Sequence, residues 1–420
     1  MQIRRLIYNL VLLLLAPYVF LHLIWRARKQ PEYLSNVRER FGFYATFSAK
    51  PVIWLHTVSV GETRAIQNLV NKLIAVYPAY QILLTHTTPT GRSTSLQLYG
   101  ERILRVYLPY DYSFAVNLFL NHFHPKLAIL LETEIWPNLV HACHNRRIPL
   151  LLLNARMSKK SMLRYARFSS FTKDVLNEIS AIAAQTSDDA NRLAILGGKN
   201  MSVCGNLKFD IQPSEPSFNL GQDLRNQIGA DRPVLVAAST REGEELLLLD
   251  AFSCIDIQDL LLIIVPRHPQ RFEEVAVLIR KSGYSFQRRS ENQAISKKVK
   301  VFLGDSMGEM FAYYAAADLA FIGGSLLPYG GQNLIEACAT GTPVLVGPYM
   351  YNFEESTKLA VSSGAAIMVS NTQELVKEVQ RLFNDRSSLN NMKLQCSIFV
   401  NSNQGATDRS LEIIKKYLAD

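Results

Sequence analysis

Cysteine is scarce in this 420-residue sequence. Cys143, Cys204, Cys254, Cys338 and Cys396 are scattered, odd in number and never in a CxxC arrangement. This argues against a disulfide framework and for buried free thiols in a reducing compartment. Histidine and cysteine supply only fragments of a metal site: His122-Phe123-His124 and His141-Ala142-Cys143-His144 complete no ligand set, so no bound metal is expected. Charged residues make up 19% against 48% hydrophobic, a balance that leaves no room for a long disordered section. No repeat shorter than a domain is present. Basic and aromatic residues are not interleaved as nucleic-acid binding would require, so no nucleic-acid partner is expected. The net charge of +9 points instead to other anionic partners, such as phosphorylated lipid or an acidic membrane surface.

Long apolar runs are also missing, with one exception. Leu6 to Trp25 reads LIYNLVLLLLAPYVFLHLIW, about the length that crosses a bilayer core. Asn9, Pro17 and His22 weaken it as a simple spanning helix, and no small-residue cleavage site follows. It reads as a retained anchor. Arg4 and Arg5 precede it; the heavier cluster after it, Arg26, Arg28, Lys29, Arg38 and Arg40, favours a cytoplasmic body. A helix lying in the membrane plane, with its basic residues on headgroup phosphates, is the alternative arrangement.

The length exceeds what one core supports, so two α/β domains are expected. Apolar runs at Val52–His56, Ile82–Thr85, Ile103–Leu108, Leu127–Leu131, Leu150–Leu153 and Ala181–Ala184 predict strands separated by helices. The helices expected there include Thr63–Tyr77, Tyr112–Asn121, Pro137–Asn145 and Met162–Ile179. Pro213 and Pro216 in FDIQPSEPSFN mark a boundary that interrupts regular structure. The alternation then restarts, with strands at Val234–Ala238, Leu261–Val265, Val299–Leu303, Leu319–Ile322 and Val344–Val346, and a last helix over Leu389–Tyr417 broken near Asn401–Gly405. Continuous apolar strands alternating with helices imply parallel sheets covered on both faces, hence two doubly wound, Rossmann-like domains facing a cleft. The expected division is 1–30 as a membrane anchor with a basic flank, 31–210 as an N-terminal domain and 211–420 as a C-terminal domain.

Several strand ends carry chemistry. Glu62, in HTVSVGET, stands after a buried strand where it can act as a general base, or simply serve as a favourable helix-start acid. Glu132 and Glu134, in LETEIWPN, are two apart and face the same way if the backbone stays extended. Lys208 in GNLKFD and Arg267 in VPRHPQRF suit phosphate, as a point charge and a planar fork respectively. In GDSMGEM the backbone of Met307 and Gly308 can meet phosphate or base, and Ser306 with Glu309 reads equally as a capping box. The stretch Asp318–Pro348 holds Gly323, Gly324, Gly330 and Gly331 ahead of a helix expected to open near Asn333, with Glu336 one turn in. It reads either as a nucleotide-sugar site or as a βαβ crossover with tight turns.

RFGFY, HTVSVGET, TPTG, YLPYD, ETEIWPN, NARMS, GNLKFD, STREGEE, VPRHPQRF, GDSMGEM, ADLAFIGGS, GGQNLIEA and GPYMYNF follow one another in an order that covers nearly the whole chain. In this the sequence resembles the bacterial Kdo transferases, which move 3-deoxy-D-manno-octulosonic acid (Kdo) from CMP-Kdo to a lipid A precursor. The resemblance implies a GT-B fold, an inverting reaction with no metal or cofactor, and a place at the cytoplasmic side of the inner membrane with its anionic surface. It implies Glu62 as proton acceptor and Glu132 and Lys208 as transition-state stabilisers. Pro266, Arg267, Met307, Gly308, Glu309, Asn333, Leu334, Ile335 and Glu336 match the CMP-contacting segments. Two positions depart from the pattern: Gln332 stands where the family commonly has histidine and cannot become cationic near neutral pH, and Arg241 stands where histidine is frequent. The rival expectations are a GT-B transferase or epimerase using a UDP-sugar and an inactive, membrane-associated lipid-binding protein.

Overall fold

The computed structural model describes residues 2–211 and 213–418. They divide into two compact units, residues 1–210 with 404–420, and residues 211–403. Each unit is built on one parallel seven-stranded sheet.

The first sheet contains β1 (Val52–Thr57), β2 (Gln81–His86), β3 (Leu104–Tyr107), β4 (Pro125–Leu131), β5 (Leu150–Ala155), β6 (Ala181–Ala184) and β7 (Met201–Val203), in the order β3-β2-β1-β4-β5-β6-β7. All six residues of β1 and of β5 are buried, as strands covered by helices on both faces require. On one face Trp54, Ala128, Leu130 and Leu152 pack under the helices Ser113–Phe123, Pro137–Asn145 and Ser169–Asn177. On the other, Ile53, Leu55, Ile129 and Leu151 meet Leu69 and Leu73 of Gln67–Val76, and Leu411 and Ile414 of the last helix, Ala406–Leu418.

The second sheet contains β8 (Val234–Thr240), β9 (Leu261–Pro266), β10 (Phe286–Arg288), β11 (Val301–Leu303), β12 (Leu319–Ile322), β13 (Val344–Val346) and β14 (Ala366–Met368), in the order β10-β11-β9-β8-β12-β13-β14. Its pairs are likewise parallel, and Leu262, Ile264, Phe321 and Leu345 form a core with Leu249, Ile279 and Leu382 from the covering helices.

Three expectations are corrected. The span 211–420 is not one unit: the helix Ala406–Leu418 returns to the first sheet. Asp210 directs this return, because its carboxylate accepts the backbone N–H of Gly405 at 2.7 Å and that of Thr407, satisfying amides at the start of the helix. Tyr417 adds a hydrogen bond to the carbonyl of Ser180 at 3.0 Å. Secondly, Pro216 does not interrupt structure. It occupies the first turn of the helix Glu215–Ile228, where a missing N–H costs nothing, and Ser214 caps that helix by accepting from Ser217 N. Thirdly, two long helices are each broken in two, as Val60–Ala65 with Gln67–Val76 and Lys159–Ala166 with Ser169–Asn177.

The expected anchor is helical from Gln2 to Lys29, with Pro17 inside it, and belongs to the first unit. Among the cysteines, Cys143, Cys204, Cys338 and Cys396 are buried and Cys254 is exposed.

The three tryptophans, Trp25, Trp54 and Trp136, all fall in the first unit, so tryptophan fluorescence follows that unit alone. Asp210→Ala removes the cap of the last helix and is expected to cost about 1–2 kcal/mol. Tryptophan fluorescence in a urea titration will show the lower midpoint; an unchanged midpoint would mean that the helix holds without its cap.

Candidate active site

In the first sheet, strand order reverses at β1, which has β2 on one side and β4 on the other. Connections leaving β1 and β4 therefore diverge, and the crevice between them at the carboxyl edge is where open α/β sheets take ligands. Glu62 follows β1 and Glu132 follows β4.

The local sequence holds Glu62 in place. Ser59 caps the helix Val60–Ala65, its hydroxyl accepting from Glu62 N at 3.3 Å and donating to Glu62 Oε1 at 2.9 Å. The other carboxylate oxygen, Oε2, accepts from Val58 N at 2.8 Å. Glu62 is thus both a helix-start acid and a half-buried group at the crevice, and the two readings of it coexist.

Glu132 has a φ of 54°, an uncommon conformation for a side-chain-bearing residue, as does Asn154 at the end of β5, with a φ of 52°. The Oδ1 of Asn154 accepts from Leu207 N at 3.0 Å, pinning the short turn Leu207–Asp210. That turn carries Lys208, whose Nζ lies 3.3 Å from Glu132 Oε1. Glu134 Oε2 accepts from Trp136 Nε1 at 3.0 Å.

Burial pushes the Glu62 carboxyl up from the ordinary 4.5 to about 7. The Val58 amide and the Ser59 hydroxyl oppose this, while the negative charges of Glu132 and Glu134 add to it. The Glu134 carboxyl is also raised, by burial and then by Glu132. Glu62, Glu132 and Glu134 therefore act on one another within one cluster, with Lys208 paired to Glu132.

The second sheet reverses between β8 and β12, at β8. Here the buried Glu244 ties the two diverging connections together, accepting from Arg241 N at 2.9 Å after β8, and from Gly324 N and Leu326 N after β12. Arg267 follows β9 and is exposed; its N–H donates to Thr240 O at 3.0 Å. Pro266 is buried. The His268 imidazole is depressed by burial and then by the positive charges of Arg241, Arg267 and Arg271, so cationic groups gather at this edge. Arg271 is committed to the fully buried Glu245 at 2.6 Å, and Arg241 lies 4.6 Å from the Tyr329 ring centroid.

The glycines of the Asp318–Pro348 stretch mostly serve the fold. A Cβ on Gly323 would approach the backbone of Thr240 to 2.6 Å, and one on Gly330 would come within 2.3 Å of Asn352 Nδ2. Gly308 differs, with a φ of +83° and nothing within 4 Å of where its Cβ would stand. Met307 beside it is exposed, while Glu309 is held by Arg289 at 2.9 Å and by Ser306 Oγ at 2.8 Å. Ser306 is not a helix cap, because Glu309 is the N-cap of the helix Met310–Ala316 and Ser306 bonds that residue's carboxylate instead. The helix expected near Asn333 opens at Ile335; Asn333 Oδ1 accepts from Ile335 N at 3.1 Å, and its Nδ2 donates to Glu336 Oε1 at 3.2 Å. Leu334 and Ile335 have buried side chains, leaving only their backbone to face a ligand. The buried Tyr314 hydroxyl is raised by burial and by Glu336 and opposed by Arg267, so that carboxylate and that guanidinium bear on the same group.

Residues 35–211 match the family described as 3-deoxy-D-manno-octulosonic-acid transferase (kdotransferase), and residues 237–395 match the group 1 glycosyl transferases. The 3-deoxy-D-manno-octulosonic acid transferase of Haemophilus influenzae is 36% identical over 421 residues, covering 99% of each chain. The chain belongs to the Kdo transferases. The Bordetella pertussis transferase is also 36% identical, across 98% of this chain and 99% of its own. In fold, this Kdo transferase is similar to UDP-GlcNAc 2-epimerase from Neisseria meningitidis, with a TM-score of 0.58 and 15% identity over 88% of the chain. It is a glycosyltransferase of the GT-B class, with two Rossmann-like units.

Sequence reasoning passed over Asn154 and Glu244, although NARMS and STREGEE contain them. The signal available was a polar residue near the carboxyl end of an apolar run, Asn154 after Leu150–Leu153 and Glu244 four residues after β8; what each one holds, Leu207 and Gly324, lies 53 and 80 residues away.

If Glu62 must be ionised to work, kcat/KM for Kdo transfer rises with pH through about 7. Glu134→Gln keeps an acceptor for Trp136 but removes a negative charge that raises the Glu62 carboxyl. The acid limb of the pH profile should therefore move to lower pH; a limb that stays put or moves up would detach it from this cluster.

Proposed function

We propose that this transferase moves Kdo from CMP-Kdo to a sugar hydroxyl of a lipid A precursor, with inversion and with Glu62 as the general base. The observation that carries this is a half-buried carboxylate poised near 7, at the point of strand reversal and beside a carboxylate–lysine pair. A base matched to neutral pH combines the ionised form with useful proton affinity. Glu62 takes the acceptor hydroxyl proton, the oxygen forms its bond to the anomeric carbon of Kdo, and the bond from that carbon to the CMP phosphate breaks. Lys208 and Arg267 offset the negative charge that develops. Glu132 fixes the position of the lysine.

The CMP portion is assigned to the carboxyl edge of the second sheet. Arg267 offers a planar fork for phosphate oxygens, and the open backbone at Met307-Gly308 allows close approach. Asn333 and Glu336 supply polar groups, and Leu334 and Ile335 contribute through the main chain. Glu309, engaged by Arg289, sets the shape of that loop.

The apolar helix Gln2–Lys29 and its basic flank hold the enzyme at the cytoplasmic leaflet of the inner membrane, where a lipid acceptor resides, which raises the acceptor's effective concentration. The reading includes no metal or cofactor. The histidines nearest to a ligand pattern are spent in hydrogen bonds, His122 Nε2 2.6 Å from Thr46 O and His141 Nδ1 2.8 Å from Glu178 Oε1.

Glu62→Gln should lower kcat for Kdo transfer by roughly 10²- to 10⁴-fold, with tryptophan fluorescence showing an intact first unit. Turnover near that of the unaltered enzyme would overturn the assignment of the base. Transfer measured after extensive EDTA treatment should proceed at the untreated rate; loss of activity restored by a divalent cation would overturn the metal-free route.

A further inference from the structure

The helix Gln2–Lys29 is long and apolar enough to cross a membrane, yet its first half is bonded to the first unit and its last turns pack against the segment that follows it. Its less exposed residues recur three or four apart, at Tyr8, Leu12, Ala16, Val19, Leu23 and Ala27, a single stripe along one face. Near its start Arg4 pairs with Asp174 at 3.1 Å and Tyr8 donates to Asp111 at 2.9 Å. Asn9 Oδ1 accepts from Asn138 Nδ2 at 2.6 Å and from Ser113 Oγ at 3.2 Å, and Leu12 O accepts from Tyr112 OH at 3.2 Å. Towards its end Leu23 and Ala27 are buried, and the Arg26 guanidinium lies 5.3 Å from the Tyr33 ring centroid. At 1.5 Å per residue, the length from Arg4 to Ala27 is about 35 Å, comparable with the full hydrocarbon thickness of a bilayer.

Spanning would require either dragging this polar flank into hydrocarbon or peeling the helix off. Asp111 is itself a buried cap, accepting from Asn138 N at 3.0 Å and Leu139 N at 2.9 Å at the start of Pro137–Asn145. Immersing such groups without water is costly. The outward face is the reverse in character: Leu6, Leu14 and Leu21 are 70%, 72% and 63% exposed. The apolar surface continues on either side, through Phe114 next to Ser113 and through the exposed Phe168. Phe168 also borders a groove of about 770 Å³ shared with Ile7 and Val11 of the helix. Lys159, Lys160, Arg164 and Arg167 are exposed on the same segment as Phe168, at the sites where anionic headgroups would stand.

We infer that the helix Gln2–Lys29 lies in the plane of one leaflet of an anionic phospholipid bilayer, and that Phe114 and Phe168 of the globular unit enter that leaflet with it. The inference is independent of the role given to Glu62. It does fix where the membrane stands. The residues that hold the helix, Asp111–Ser113 after β3 and Asn138 after β4, lie at the carboxyl edge of the sheet, the edge that presents Glu132. Lipid headgroups are thereby brought alongside the carboxylate cluster.

The test is nitroxide depth measurement on the full chain in vesicles of phosphatidylethanolamine and phosphatidylglycerol, using oxygen and a water-soluble nickel chelate as relaxants. Labels go on Leu6→Cys, Leu14→Cys, Leu21→Cys, Phe114→Cys and Phe168→Cys in a Cys254→Ser background, since the other cysteines are buried. These are exposed positions outside the reaction machinery, and Kdo transfer by each labelled protein verifies folding. The expected result is that the three helix labels sit at one depth, within about 5 Å of one another, with both phenylalanine positions shielded from the nickel chelate. A spanning helix would instead separate Leu6 from Leu21 by about 22 Å along the bilayer normal. Such a gradient, or aqueous exposure of Phe114 and Phe168, would overturn the inference.

Discussion

Parallel pairing sends the carboxyl end of every strand in a sheet to one edge, and the rest of this molecule follows from that constraint. Helices must then return the chain along both faces, so the inner strands are buried and every loop that leaves a strand's carboxyl end is gathered with the others. At β1 and at β8 the order of strands reverses, and only there do neighbouring loops part. The first reversal exposes Glu62 and Glu132. At the second, Glu244 stitches the parted loops together through three backbone amides, so the reversal becomes a rigid rim bordered by cationic side chains.

Within the first rim, electrostatics and backbone geometry depend on each other. Three carboxylates stand close enough to act on one another, which is tolerable because Lys208 is brought to Glu132 and because Glu62 takes up hydrogen bonds from Ser59 and Val58. The lysine arrives only because Asn154, in a left-handed conformation, receives the amide of Leu207. Substitution of Asn154 would thus disturb the Lys208–Glu132 pair from a distance, by releasing the turn that carries the lysine.

Much of this was legible in the sequence, for identifiable reasons. Strands buried on both faces are continuous apolar runs, and such runs located β1, β4, β8 and β12 and the acids or glycines that follow them. The strands that escaped notice, β7, β10 and β14, are three-residue strands at sheet edges, too short and too exposed to leave an apolar run. Pro216 misled because a proline signals a break only inside a helix, and here it begins one. The role of Asp210 was hidden for another reason: its partners, Gly405 and Thr407, are nearly 200 residues away, and no local pattern records such a pairing. The motif order carried the family, while the division of labour within each motif emerged only from contacts.

The return of the last helix to the first sheet also sets an order of events during synthesis. The apolar face formed by Ile53, Leu55, Leu69 and Leu73 is made before residues 211–403, and Leu411 and Ile414, which help to cover it, only after them. The second unit, residues 211–403, must be made in between, which at cellular rates takes roughly 10–40 s. For that interval the nascent first unit carries an uncovered greasy flank as well as its apolar leading helix. A chain in that condition needs shelter such as a chaperone gives, and the unit begun first is closed only after the second has been made.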